Sequence, residues 1–332
     1  MKKSYKVKSN KYKRKNKQKR RIALCIAGMI LVGGGVLVKC EEKLIPKSYI
    51  KDTSCKDGSI KIPICTVSTS SGHLLSQSAT EIEVKLKELA EKREREKLYV
   101  GTNEEGKAYA YDAQIIADKL SHYDYSNNGQ KIVFLTFDDG TSTTVTPDVL
   151  KVLDDYGVKA TFFLVGSNIE DGGERAKALV KQIFDKGHAI ANHSYTHNYR
   201  NLYPGRSLNL DNFVAEYDKN EALIKDILGV NFKTRVFRCP GGHMSWDNME
   251  PLDAYLLNEN KFSIDWNALT KDAEGPKKNA AELVEQAKET AEGKEIVVLL
   301  MHDTYGKEET AKALPEIIEY FKANGYEFKT LV

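Results

Sequence analysis

The sequence predicts an α/β fold, a (β/α) barrel, on two observations. Strand-like runs "KIVFLTF", "ATFFLV", "HAIANH", "RVFRC", "KFSIDW" and "IVVLLMH" alternate with helical patterns from residue 131 to the C-terminus. Nearly every run also finishes in an ionisable residue. That placement is costly in a core and expected in a barrel, whose active site gathers at the C-terminal ends of its strands.

Taken in order, residues 1–21 carry twelve Lys or Arg and no acid. The formal charge of +3 on 332 residues therefore hides an acidic body, because 38 basic against 47 acidic residues remain, a balance of −9. A basic block of this kind suits a nucleic-acid arm, but the segment after it argues otherwise. Residues 22–38, "IALCIAGMILVGGGVLV", are seventeen uncharged, mostly apolar positions, at the short limit for a membrane-spanning helix. Basic residues before the span and acidic ones after it put a basic tail (1–21) in the cytoplasm and the rest of the chain outside. "VKCEEK" offers no A-x-A-like cleavage site, and Lys39 argues against a lipid anchor at Cys40. The expectation is an uncleaved, single-pass signal anchor at the cell membrane and no nucleic-acid partner.

Residues 39–125 read as an extracytoplasmic linker and stalk. "KDGSIKIPI" between Cys55 and Cys65 suits a hairpin closed by a disulfide on the oxidising side. Within residues 78–98, Ile82, Leu86, Leu89 and Ala90 recur at helical spacing before the pattern turns wholly charged, predicting a short stalk helix. A coiled-coil dimer is the alternative, so the oligomeric state stays open.

Residues 126–332 form the predicted catalytic domain, with helices expected around 149–156, 175–186, 213–228, 248–260, 280–292 and 310–324. Its strand ends supply Asp138 and Asp139, then His193, Arg238, Asp265, and finally His302 and Asp303. In "NHSYTH", His193 and His197 lie four apart, a spacing that puts two imidazoles on one side of a helical turn, where they can share a metal. Asp139 as a third ligand makes a two-His, one-carboxylate site with open positions, suited to zinc, with cobalt or nickel as alternatives. A divalent cation also relieves the repulsion in "TFDDG", since it binds one aspartate and leaves its neighbour free as a base. Water on such a cation drops in pKa to about 7 and can attack a carbonyl. If that carbonyl belongs to an amide, the departing nitrogen needs an acid, and His302, titrating near the working pH, is the natural candidate.

The stretches "TFDDG", "HSYTH", "RCPGG", "SIDW" and "LLMHD" resemble, in order, the five motifs of the polysaccharide deacetylases, carbohydrate esterase family four, also called the NodB homology domain. The resemblance covers about residues 130–332. It implies a distorted (β/α) barrel that hydrolyses acetyl groups from amino sugars or acetylated sugars. Carried over motif by motif, Asp138 looks like the general base and Asp139, His193 and His197 like the metal ligands. Arg238 resembles the arginine that orients the base, Gly241 N–H falls where the family places an oxyanion donor, and His302 resembles the catalytic acid with Asp265 tuning it. Trp266 and Leu300 would line the pocket for the acetyl methyl group. The family usually has an aromatic where Cys239 stands and often another where Gly241 stands. It also places the Trp of the fourth motif several residues after the first Asp, whereas Trp266 follows Asp265 directly; Asp272 in "LTKDAE" is the alternative acid for that motif.

A membrane-held enzyme facing outward meets its own wall first, so the expected substrate is peptidoglycan N-acetylglucosamine. N-acetylmuramic acid, chitin-like or poly-N-acetylglucosamine chains and acetylxylan are the competing substrates. A non-catalytic glycan-binding module is the alternative of another class, disfavoured because both Asp138 and His302 are present. His188 and His243 read as locally bonded residues. Tyr195, Tyr199 and Tyr203 are candidates for stacking on sugar rings as much as ordinary loop tyrosines, and Asp303 reads as a residue that orients its strand end.

Overall fold

A computed structural model describes residues 98–332 apart from Val230, together with Val84 and Lys87, both helical. The basic tail, the span over 22–38, Cys55 and Cys65 lie outside the described residues, as does the stretch 78–98 read as a stalk helix, apart from those two positions and Leu98. Among the described residues no helix is long and apolar enough to cross a membrane.

β1 (Leu98–Val100) and β2 (Ala110–Tyr111) lead into α1 (Ala113–Ser121). β3 (Ile132–Gly140), α2 (Thr146–Tyr156), β4 (Thr161–Leu164), α3 (Gly166–Asp171), α4 (Gly173–Asp185) and β5 (Ala189–Asn192) follow. Next come α5 (Tyr199–Leu202), α6 (Leu210–Leu228), β6 (Asn231–Lys233), β7 (Val236–Phe237), α7 (Glu250–Asn258), β8 (Phe262–Ser263) and β9 (Ala268–Leu269). The chain closes with α8 (Ala280–Ala291), β10 (Ile296–His302), α9 (Glu308–Ala323), β11 (Glu327–Phe328) and β12 (Thr330–Leu331).

The main sheet runs β8-β7-β5-β4-β3-β10-β9, with β11 added beside the first half of β3. Every pairing in it is parallel. The sheet is curled but open, because β8 and β9 do not pair with each other among the described residues. The expected barrel is thus a half-closed one.

Side chains on a strand alternate between faces, and β3 shows what that does here. Val133, Leu135 and Phe137 enter an outer core with Val149 and Leu153 of α2, Val180 and Ile183 of α4, Val284 and Ala287 of α8, and Ile317 and Phe321 of α9. Ile132 and Phe134 point the other way, into an inner cluster with Phe163, Ala191, Val236, Ile264 and Val298. Thr136 and Asp138 continue that inner face, so the same parity that fills the interior delivers a carboxylate to its rim.

The helix termini follow local chemistry. α2 begins earlier than periodicity suggests because Pro147 fits a first helical turn, and it stops at Gly157, whose φ of 63° is the left-handed conformation a C-cap needs. α6 is capped by the Asn209 side chain, which accepts the Asn212 N–H at 3.1 Å. α8 opens on a reciprocal capping box between Asn279 and Glu282.

Residues 98–121, read from sequence as stalk, carry folded elements. β1 pairs with β6 and β2 with β12. α1 sends Ala113 and Ile116 into the inner cluster beside Leu331, and the Ala113 N–H donates to the Val332 carbonyl at 2.9 Å. Pairings of two or three residues with partners more than 100 positions away leave too short a period to read locally.

Candidate active site

At the end of β3 the register with β4 slips between Asp138 and Gly140, and Asp139 takes a φ of 65°. The bulge sends the two neighbouring carboxylates to different partners. Asp138 is buried, and its Oδ1 accepts Arg238 Nη1 at 2.7 Å. Arg238 is wholly buried too, donating from Nη1 to Thr136 Oγ1 at 2.9 Å, from Nε to the Ile264 carbonyl at 2.8 Å and from Nη2 to the Asp265 carbonyl at 3.2 Å. Its guanidinium also lies 4.0 Å over the Phe163 ring. These contacts fix the arginine in one pose. Burial lifts the Asp138 carboxyl to about 6, against the charges of Arg238 and His302, which pull it down, while Asp139 pushes it up.

Asp139 turns toward the histidines. Its Oδ1 lies 3.6 Å from His193 Nε2 and 3.5 Å from His197 Nε2, and the ligand atoms of all three residues fall within 4.8 Å of one another. Asp139 Oδ1 is buried with no hydrogen-bond partner among the described residues, an expensive state that a cation would relieve. His193 Nδ1 donates to the Arg238 carbonyl at 2.7 Å, which leaves Nε2 bare toward the cluster. Burial depresses both imidazoles, His193 well below its ordinary value, so they stay neutral as metal ligands must. The donor set therefore fits a divalent cation held by Asp139, His193 and His197.

The two histidines do not sit on a helical turn. They occupy a loop with Ser194 at φ 67° and His197 at φ 54°, closed by the His197 N–H donating to Ser194 Oγ at 3.0 Å. What pins that loop is α6. Glu216 accepts the N–H of Tyr195 at 3.1 Å, the N–H of Thr196 at 2.6 Å and Thr196 Oγ1 at 2.7 Å. One turn later, Asn220 Nδ2 donates to the carbonyls of Ser194 and Leu164 at 2.9 and 2.7 Å. The signal was in the sequence: two polar residues four apart on the apolar face of a helix, between Phe213 and Ile224.

His302 ends β10 directly opposite Asp138 in the pairing of β10 with β3. Its partner is not Asp265 but Asp272, whose Oδ1 accepts His302 Nδ1 at 2.8 Å and whose Oδ2 accepts the His302 N–H and Thr310 Oγ1, each at 2.8 Å. Burial opposes a charge on His302, yet the bond and charge of Asp272, with the charges of Asp138 and Asp139, prevail and lift the imidazole to about 9. Asp265 instead accepts the N–H of His243 at 2.9 Å and of Met244 at 3.4 Å. It anchors the loop after Gly241 and makes no bond to His302. The motif order suggested the nearer acid, but the chain must pass through β9 before a carboxylate can reach back to β10.

Gly241 and Gly242 have φ of 78° and 85°, and a β-carbon on Gly242 would come within 2.9 Å of Trp266. Trp266 packs on the inner cluster with its ring 5.7 Å from the Arg238 guanidinium. Leu300 is buried on the same face of β10 as His302. Asp303 is buried, accepts Thr146 Oγ1 at 2.6 Å and is raised to about 7 by its burial and by Asp139 and Asp138. A β-carbon on Gly140 would stand 2.6 Å from that carboxylate, so the glycine of "TFDDG" is a space requirement. Cys239 is buried and free, 3.7 Å from Ser263 Oγ.

A family model described as polysaccharide deacetylase matches residues 125–253. A peptidoglycan-N-acetylglucosamine deacetylase of Bacillus cereus is 32% identical over 213 residues, which cover 62% of this chain and 71% of that protein. A bifunctional xylanase/deacetylase of Pseudobutyrivibrio xylanivorans is 32% identical over 206 residues, 62% of this chain but only 31% of that longer protein. Among solved structures, a Streptococcus mutans CE4 esterase is 38% identical with a TM-score of 0.64, over 70% of this chain and 96% of that one.

Proposed function

We propose, since the chain belongs to the polysaccharide deacetylase family, that it hydrolyses N-acetyl groups from cell-wall polysaccharide, with peptidoglycan N-acetylglucosamine as the sugar acted on. One observation carries this reading: an arginine-held carboxylate and an aspartate-held imidazole, Asp138 and His302, face each other across paired strands beside a two-His, one-Asp cluster.

Asp139, His193 and His197 would hold the divalent cation, zinc in our reading. Such an ion, when bound, supplies positive charge that acidifies water and polarises a carbonyl. Asp138 is the base: Arg238 fixes its Oδ1 and leaves Oδ2 to take the proton of the attacking water. The N–H of Gly241 is the oxyanion donor toward the acetamide oxygen. His302, held protonated by Asp272, gives its proton to the sugar nitrogen as the C–N bond breaks. Water and amide become acetate and a free amine. Trp266 and Leu300 take the acetyl methyl group. The reading places the domain outside the cell on its N-terminal anchor, which rests on the sequence of residues 1–38.

The test is acetate release by the full-length protein from peptidoglycan, N-acetylglucosamine oligomers and acetylxylan. Release from the N-acetylated polymers, lost with a chelator and restored by zinc, is expected. Release from acetylxylan alone would reassign the substrate, and no release from any of them would overturn the reading.

A further inference from the structure

Three tyrosines cluster around the second motif, and their surroundings separate them. Tyr195 is buried with its hydroxyl bonded to Glu170 and the Lys219 ammonium over its ring. Tyr203 is buried and lies flat on Trp246, with centroids 4.2 Å apart and planes at 10°. Tyr199, which opens α5, is 43% exposed, and no group among the described residues bonds its hydroxyl.

The position of Tyr199 is nonetheless fixed. Asn198 caps α5 by accepting the Arg200 N–H at 3.0 Å, and the tyrosine ring lies 5.2 Å from His197 and 5.1 Å from Trp246. A β-carbon on Gly241 would meet Cζ and the hydroxyl of Tyr199 at 3.3 Å and Trp246 at 3.1 Å. The space beside Gly241 is therefore filled by two rings from elsewhere in the chain. One of them, Trp246, spends its indole N–H on the Pro240 carbonyl at 2.8 Å. The other presents an unspent hydroxyl next to the backbone that carries the oxyanion donor.

We propose that Tyr199 is a substrate-contacting residue that walls the subsite of the acetylated sugar. Its ring packs on the apolar face of the pyranose, and its hydroxyl donates to an oxygen of that sugar. This rests on the deacetylase reading and adds to it a residue outside the five motifs. An aromatic ring with a polar tip suits a sugar, which offers C–H faces and hydroxyl edges together.

The test uses the zinc-loaded full-length protein with the tetramer of N-acetylglucosamine as probe. Tyr199→Phe should raise KM about three- to tenfold, the range of one hydrogen bond, with kcat within about twofold. Tyr199→Ala should raise KM further, and zinc affinity, read by chelator competition, should stay unchanged in both. Unaltered KM in both variants, or zinc affinity falling in step with activity, overturns the proposal, the second because the ring would then serve only to support His197. If wild type releases no acetate from the tetramer, the deacetylase reading fails on this probe. Calorimetric binding then decides the role of Tyr199: weaker binding in both variants upholds it, and no binding by wild type overturns it.

Discussion

His302 Nδ1 and Asp272 Oδ1 lie 2.8 Å apart, and the other oxygen of the same carboxylate takes the His302 backbone N–H at the same distance. The carboxylate thus sets both the charge and the orientation of the imidazole. In the proposed mechanism His302 serves as the acid only while protonated, so with its value raised to about 9 activity should persist to alkaline pH and fall as pH rises through that region. Asp272→Asn should move this basic limb to lower pH and cut kcat by about a hundredfold. Asp265→Asn should leave the limb where it is. A pH–rate profile of each variant checks both statements.

Asp138 and Asp139 should separate under substitution. Asp138→Asn should lower kcat by roughly 10²- to 10⁴-fold while the protein keeps its metal. Asp139→Asn should lose the metal. Metal content by elemental analysis beside acetate release distinguishes them, and metal loss from the Asp138 variant would mean the two roles are exchanged.

Glu216 makes no hydrogen bond to the side chains of Asp139, His193 or His197, the proposed metal ligands, yet it holds the backbone between two of them. Glu216→Ala should weaken zinc binding about 10- to 100-fold, as loss of a partner behind a ligand typically does. Competition with a coloured chelator measures this directly. Activity at saturating zinc should recover much of the loss.

His188 predicts an acid sensitivity unrelated to catalysis. It is fully buried, its Nδ1 accepts the Ala160 N–H at 3.1 Å, and burial, helped by the Lys159 charge, lowers it to about 3 from 6.5. The unfolded chain then binds a proton that the folded chain refuses, so stability is lost as pH falls from about 6.5 toward 3, by up to ~5 kcal/mol. His188→Asn, which keeps an acceptor for Ala160 and cannot charge, should flatten that slope in denaturant titrations from pH 7 to 4.

Much of this is legible in the sequence because it is written locally. The run from Ile132 to Phe137 alternates toward two cores, and the acid or imidazole at the end of a parallel strand must emerge at one rim. Asp138, Asp139, His193, Arg238 and His302 stand out on that ground. Asp272 ranks below Asp265 on sequence because strand-end position says which residues reach the rim, not which carboxylate folds back onto which imidazole. The spacing of His193 and His197 points to the right pair for the wrong reason, since a loop with two positive-φ residues brings them together. Glu216 and Asn220 act from α6, distant in sequence from every motif, where only their oddity on an apolar helix face betrays them.

α1 has a practical consequence. The region matched by the family begins at residue 125, after this helix has ended, yet Ala113 and Ile116 close the apolar interior formed by Phe134, Val298 and Leu331. A protein trimmed to that boundary would be an unstoppered vessel, its lining open to water at the end away from the chemistry. A truncation meant to give a soluble enzyme should therefore begin upstream of Leu98, so that β1, β2 and α1 travel with the domain they seal.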